Sequence, residues 1–125
     1  MTSAVKRNVV GAVAAIAAAV LLWAAYVPHR ETFNAIIALV PMLVIARVCA
    51  PKRSAALFFL FGLVYWVLSL SWMPAVMKNN GPWPLVGLGW FALSAACAGY
   101  FSLFGFCAAK MWHKERERTY ENKYN

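Results

Sequence analysis

Cysteine, histidine, serine and glutamate are the residues of this chain that could act as nucleophiles, bases or ligands. None stands in the pattern such chemistry requires. Cys49, Cys97 and Cys107 share no regular spacing, so they make neither a disulfide framework nor a zinc motif. Cys97 and Cys107 fall ten positions apart on one predicted helix, ~15 Å along its axis, and cannot bridge each other. Cys49 lies among Arg47, Lys52 and Arg53, which favour its thiolate and permit S-acylation; the plainer reading is a small apolar filler. His29 and His113 fall on opposite sides of the predicted topology, which excludes a shared metal site, and no metal or cofactor is expected. Ser69, Ser71, Ser94 and Ser102 are of the kind that bond their own helix carbonyls, and none has a His or Asp partner that would make it a nucleophile. The chain has no Asp, and Glu31, Glu115, Glu117 and Glu121 all lie outside the apolar blocks. Proton relays and cation pathways need an ionisable group at membrane depth, so a pump or proton-coupled carrier is disfavoured.

One charge remains in a suggestive place. Lys78 is the sole charged side chain between Ser54 and Ala109. It opens the turn Lys78-Asn79-Asn80-Gly81-Pro82-Trp83-Pro84, with Trp72 and Trp83 on either side. Indole rings prefer the headgroup layer, and a lysine there can meet a phospholipid phosphate as a point charge. Trp72, Lys78 and Trp83 are therefore candidates to border a lipid-facing groove. The plain alternative is an interfacial anchor with a solvated lysine.

The elements that carry these residues are set by hydropathy. Ser54 to Met77 and Pro82 to Ala109 are long apolar blocks on either side of Lys78. At ~1.5 Å of rise per residue, each exceeds the ~30 Å hydrocarbon core of a bilayer. Val9 to Val27 is a third uncharged block, preceded by Lys6 and Arg7. It is long for the apolar region of a signal peptide, and Trp23 and Tyr26 resemble an interfacial anchor, so it reads as a retained span. Thr32 to Ala46 is shorter, contains Pro41 and meets Arg47; it spans if Arg47 reaches out to the headgroups. Hydrophobic residues form 63% of the chain and charged residues 13%, against roughly 45–50% and 25% in soluble domains. The net charge of +8 makes no binding stripe, so nucleic acid is excluded as a partner.

The expected fold is an all-α membrane protein with four transmembrane helices and both termini on the cytoplasmic side (N-in/C-in). The division is a cytoplasmic N-terminus at 1-8, a membrane domain at 9-111 and a polar cytoplasmic tail at 112-125. The spans are about 9-27, 32-49, 54-77 and 83-109. This arrangement puts the basic residues near Lys6, Arg47, Arg53 and Lys110 onward on one face, leaving only Arg30 and Lys78 on the other. The positive-inside rule makes the first face cytoplasmic. Pro28 is expected to end the first helix and Ser54 to cap the third. The tail should extend the fourth helix for a turn or two and then fray. Packing in lipid requires small residues at close backbone contacts. Gly11, Ala15 and Ala19 supply one such stripe; Ser94, Ala98 and Ser102, with Gly99 beside them, supply another.

Further features run in order along the chain: Ala38-Leu39-Val40-Pro41-Met42-Leu43, Ser54-Ala55-Ala56, Phe61-Gly62-Leu63 and Ser71-Trp72-Met73. Gly81-Pro82-Trp83-Pro84, Leu93-Ser94-Ala95-Ala96 and Gly99-Tyr100-Phe101-Ser102-Leu103 complete them. From about Val10 to Ala109 the chain thereby resembles the N-terminal membrane half of bacterial apolipoprotein N-acyltransferase. No single motif is specific; their order and spacing carry the resemblance. It implies a multi-pass protein of the bacterial inner (cytoplasmic) membrane that serves phospholipid-to-lipoprotein acyl transfer. It also implies further spans and a periplasmic nitrilase-like domain with catalytic Glu, Lys and Cys, which this sequence does not reach. None of Cys49, Cys97 and Cys107 stands in that catalytic motif, so no catalytic residue carries over and the chain alone is expected to be inactive. The expected role is that of a truncated, lipid-holding part. Its implied partners are membrane phospholipid, a lipoprotein and a separately encoded nitrilase-like part. A small membrane scaffold without enzymatic function is the alternative, and a third reading is an oligomeric channel, for which the spans offer no polar stripe.

Overall fold

A computed structural model of the chain describes residues 3–26, 32–77 and 82–124. Every element among them is helical: α1 (Ser3–Tyr26), α2 (Thr32–Val48), α3 (Pro51–Ser69), the short α4 (Trp72–Met77) and α5 (Trp83–Tyr124). Apolar side chains surround most of the helical surface, and in hydrocarbon a helix pairs every mid-segment backbone group within itself. Three helical stretches are long and apolar enough to cross a membrane: Val5–Ala25, Pro51–Ala75 and Trp83–Lys123. The fourth apolar helix, Ile36–Val48, is shorter.

The pair α3 and α5 forms the largest contact, and α1 packs on both α2 and α3. The core lies where α1, α2 and α3 meet. Ala15, Ala18 and Ala19 of α1 are buried against Met42, Ile45 and Ala46 of α2 and Leu57, Phe58 and Phe61 of α3. Alanines let α1 approach closely, and the larger side chains of its partners fill the space between. Around this thin core much of the apolar surface is exposed, including Ile36, Ile37, Val40 and Val44 on α2.

Pro41 lies inside α2, and the helix passes through it. The N-cap of α3 is Ala50, with Pro51 in its first turn. Pro51 suits that place because its missing N–H would have had no intrahelical partner. The expected cap, Ser54, instead lies inside the helix, and its hydroxyl donates across the bundle to the Gly105 carbonyl at 3.0 Å.

The predicted span 54-77 is divided. α3 ends at Ser69, and a turn at Leu70 and Ser71 separates it from α4. The Leu70 carbonyl takes the Met73 N–H at 3.0 Å, a tighter pairing than in an α-helix. Pro74 explains the break, since it has no N–H for the Leu70 carbonyl and its ring would clash there.

The last helix is also longer than expected. Rather than fraying soon after Ala109, α5 continues to Tyr124 over 42 residues. The tail loses its apolar period, yet Lys, Glu and Arg are good helix formers, and no Gly or Pro follows Gly105. Lys123 in the last turn also complements the helix dipole.

Candidate functional site at the two ends of the bundle

Hydrogen bonds bring the basic segments together at one end. Arg53 of α3 donates to the Arg7 carbonyl of α1 at 2.6 Å. Arg116 of α5 donates to the Arg47 carbonyl at 3.2 Å. His113 Nε2 lies 3.1 Å from the Cys49 carbonyl oxygen. The start of α1, the α2–α3 junction and the extension of α5 therefore share one end. At that junction α2 has carbonyls with no helical partner, and two side chains of α5 cover them.

The opposite end carries the two indoles of the sequence-derived groove. Trp72 opens α4 and Trp83 opens α5, with relative exposures of 57% and 69%. Lys78, the third member of the sequence-derived groove, lies outside the described residues, as do Pro28 and His29. Three polar atoms buried toward this end have no hydrogen-bond partner: Trp66 Nε1, Ser69 Oγ and Trp90 Nε1. Trp66 and Ser69 stand one turn apart on α3, and α5 runs antiparallel beside them. Ser69 is expected from the sequence to bond a carbonyl of its own helix, and here its hydroxyl has no partner; Trp66 and Trp90 carry no such expectation from the sequence. Ser94, a turn along α5, donates to the Trp90 carbonyl at 2.9 Å, so its hydroxyl is already used within the helix.

Between these ends α3 and α5 meet along a close seam. A Cβ at Gly62 would lie 3.0 Å from the Ala98 Cα and 3.0 Å from the Phe101 ring. A Cβ at Gly105 would run into the Phe58 ring. Aromatic contacts continue the seam, with Phe58 on Phe104 at 5.8 Å and Phe61 edge-on to Phe101 at 5.5 Å.

The predicted packing residues occupy different surroundings. Ala15, Ala19, Ser94 and Ala98 are fully buried. Gly11 is half-buried, and a Cβ there would meet the end of Leu57 at 3.2 Å. Ser102 is half-buried, whereas a Cβ on Gly99 would meet nothing within 4 Å. A strict four-residue stripe advances about 40° around a helix at each step. The buried small residues of α5 instead run Ser94, Ala98, Gly105 and Ala109, close to a heptad spacing that stays on one face.

Chemistry at the cysteines has little support in this geometry. All three are free; Cys107 is exposed, and Cys49 and Cys97 are half-buried. His113 is directed at the Cys49 carbonyl oxygen. Among the described residues no group of three or more His, Cys, Asp or Glu side chains is placed to hold a metal ion.

The family described as the apolipoprotein N-acyltransferase N-terminal domain matches residues 18–120 of the chain. The chain belongs to that family. No solved structure matches it. The match covers α2 to α4 whole, together with the later part of α1 and nearly all of α5. Together with three membrane-length apolar helices, family membership makes this a multi-pass membrane protein.

Proposed function

We propose that this chain is a membrane part for phospholipid-to-lipoprotein acyl transfer in the bacterial inner membrane, and that it holds and positions lipid rather than carrying the transfer chemistry. Its membership of the N-terminal domain family, over residues 18–120, is the observation that carries the reading. The exposed apolar surface on α1, α2 and α5 supports it, because a thin bundle of this kind has lipid as its natural surroundings. The four apolar helices cross the membrane with both termini in the cytoplasm, as the basic clusters of the sequence argue. Trp72, Lys78 and Trp83 then border a lipid-facing groove on the periplasmic side. The unpartnered indole and hydroxyl groups of Trp66, Ser69 and Trp90 lie toward the same end, and donors at that depth are suited to the ester oxygens of a lipid.

The test is acyl transfer from phospholipid to a diacylated lipopeptide, measured with the purified chain alone and with a separately produced nitrilase-like domain of the family. The chain alone should give no transfer above a no-protein control, and the combination should exceed the catalytic part alone. Lys78→Ala and Trp83→Ala should reduce that gain. Transfer by the chain alone that survives replacement of all three cysteines would overturn the reading, as would a combination no better than its catalytic part. Topology is checked separately by labelling single cysteines placed at Asn80 and Asn122. They should react from opposite sides, with Asn80 periplasmic; labelling from one side would overturn the four-crossing arrangement.

A further inference from the structure

Where α5 passes the end of α2, an open notch of about 470 Å³ lies between the two helices. Its walls include Arg47 from α2 and Trp112, Glu115, Arg116, Tyr120 and Lys123 from successive turns of α5. Three cations face one carboxylate, so the charged lining is net positive. Arg116 spends one donor on the Arg47 carbonyl, and a guanidinium has five, which leaves its fork largely free. The Arg47 guanidinium carbon sits over the Trp112 ring, 5.3 Å from its centroid. That stacking fixes a long side chain in place and keeps its other edge available for an oxyanion.

The position of the notch narrows the ligand. Arg47 stands in the last turn of the apolar helix α2, and aromatic residues such as Trp112 and Tyr120 settle at the level of lipid headgroups. The volume far exceeds that of a phosphate ion and lies within the range of small-molecule sites. The Trp112 face, which would otherwise suit a quaternary or primary ammonium, is already covered by Arg47. A zwitterionic headgroup is left with Glu115 alone to meet its cation and brings that cation up to three like charges, whereas a net-negative one meets those three cations without that repulsion.

We propose that this notch binds the phosphate-bearing headgroup of an anionic phospholipid. Basic pockets beside membrane helices take such headgroups through the same combination of point charge and guanidinium fork. The site is at the end of the bundle opposite Trp72 and Trp83, so it stands independently of the acyl-transfer reading. It would hold a lipid that anchors the α2–α5 junction.

The experiment uses the full chain in nanodiscs of neutral phosphatidylcholine, into which phosphatidylglycerol is titrated while Trp fluorescence and native mass spectrometry report bound lipid. The double substitution Arg47→Gln with Arg116→Gln should weaken phosphatidylglycerol retention about tenfold. Arg53→Gln, which removes a basic side chain at the same end but outside the notch, should leave retention unchanged. Because loss of the Arg116 bond could disturb folding, Glu115→Gln is the second variant; it removes the one negative charge of the lining and should tighten retention. Equal loss in the Arg53→Gln and the double variant would mean diffuse charge attraction and overturn the site. So would an unchanged Glu115→Gln together with an unchanged double variant. Inorganic phosphate that displaces the lipid at equal concentration would assign the notch to a free anion and overturn the lipid.

Discussion

The two faces of α5 are built from similar residues and behave in opposite ways. Toward α3 it presents Ala98, whose Cα a Cβ added to Gly62 of α3 would meet at 3.0 Å, and Gly105, where an added Cβ would run into the Phe58 ring. Away from α3 it presents Gly89 and Gly99, and a Cβ at either meets nothing within 4 Å; Gly87 is in phase with Gly105, five turns away, yet a Cβ there also meets nothing. A glycine in a membrane helix therefore has no fixed meaning. Its partner across the interface decides whether the missing side chain is a packing requirement or merely tolerated.

The comparison breaks most readily at Gly105. Gly105→Ala places a carbon into the Phe58 ring, and since the Phe58 Cβ is also close, rotating the ring does not relieve the clash. Overpacking of this kind should cost about 3 kcal/mol, seen as a lower unfolding temperature in detergent and a weakened α3–α5 contact by crosslinking. A Gly105→Ala protein as stable as the parent would show that the seam is looser than described. A smaller effect sharpens the same face: Ser54→Ala removes the hydroxyl that meets the Gly105 carbonyl at 3.0 Å. Interhelical bonds of this type average about 0.6 kcal/mol in membranes, so the unfolding temperature should fall slightly while the overall fold persists. Smallest of all is Gly99→Ala, the same substitution on the other face. With open space around it, the change should be neutral or stabilise by up to about 1 kcal/mol through helix propensity. Destabilisation by Gly99→Ala as large as that by Gly105→Ala would erase the distinction between the faces.

How much of this was legible in the sequence follows from the same contrast. Apolar length and the few charges identify the helices, because backbone pairing in lipid leaves little other choice. The clustering of basic residues anticipated that the segments around Arg7, Arg47, Arg53 and Arg116 would share an end, as their hydrogen bonds now show. The seam was not legible. Which of seven glycines touches a neighbour depends on the phase of two helices, and a periodic reading of one helix cannot supply it. Serine favours an N-cap, which makes Ser54 read as one, yet the nearby Pro51 is the better start signal. The break before α4 was available in Pro74 and was obscured by the unbroken run of apolar residues around it. The helical tail was missed for the reverse reason. Loss of apolar periodicity marks the end of burial, whereas helix formation in water depends on propensity, which the Lys-, Glu- and Arg-rich segment retains.

The length of α5 has a mechanical consequence. Past Ala109 another 15 residues continue to Tyr124, an arm of about 22 Å at the usual rise. No glycine or proline interrupts it, so it moves with the part of the helix held against α3. A change in bilayer thickness that re-tilts the seam by some 10° would swing the far end of the arm sideways by about 4 Å. The helix is thus a lever whose longer part is set by its packing in the bundle and whose shorter arm carries the movement to its far end.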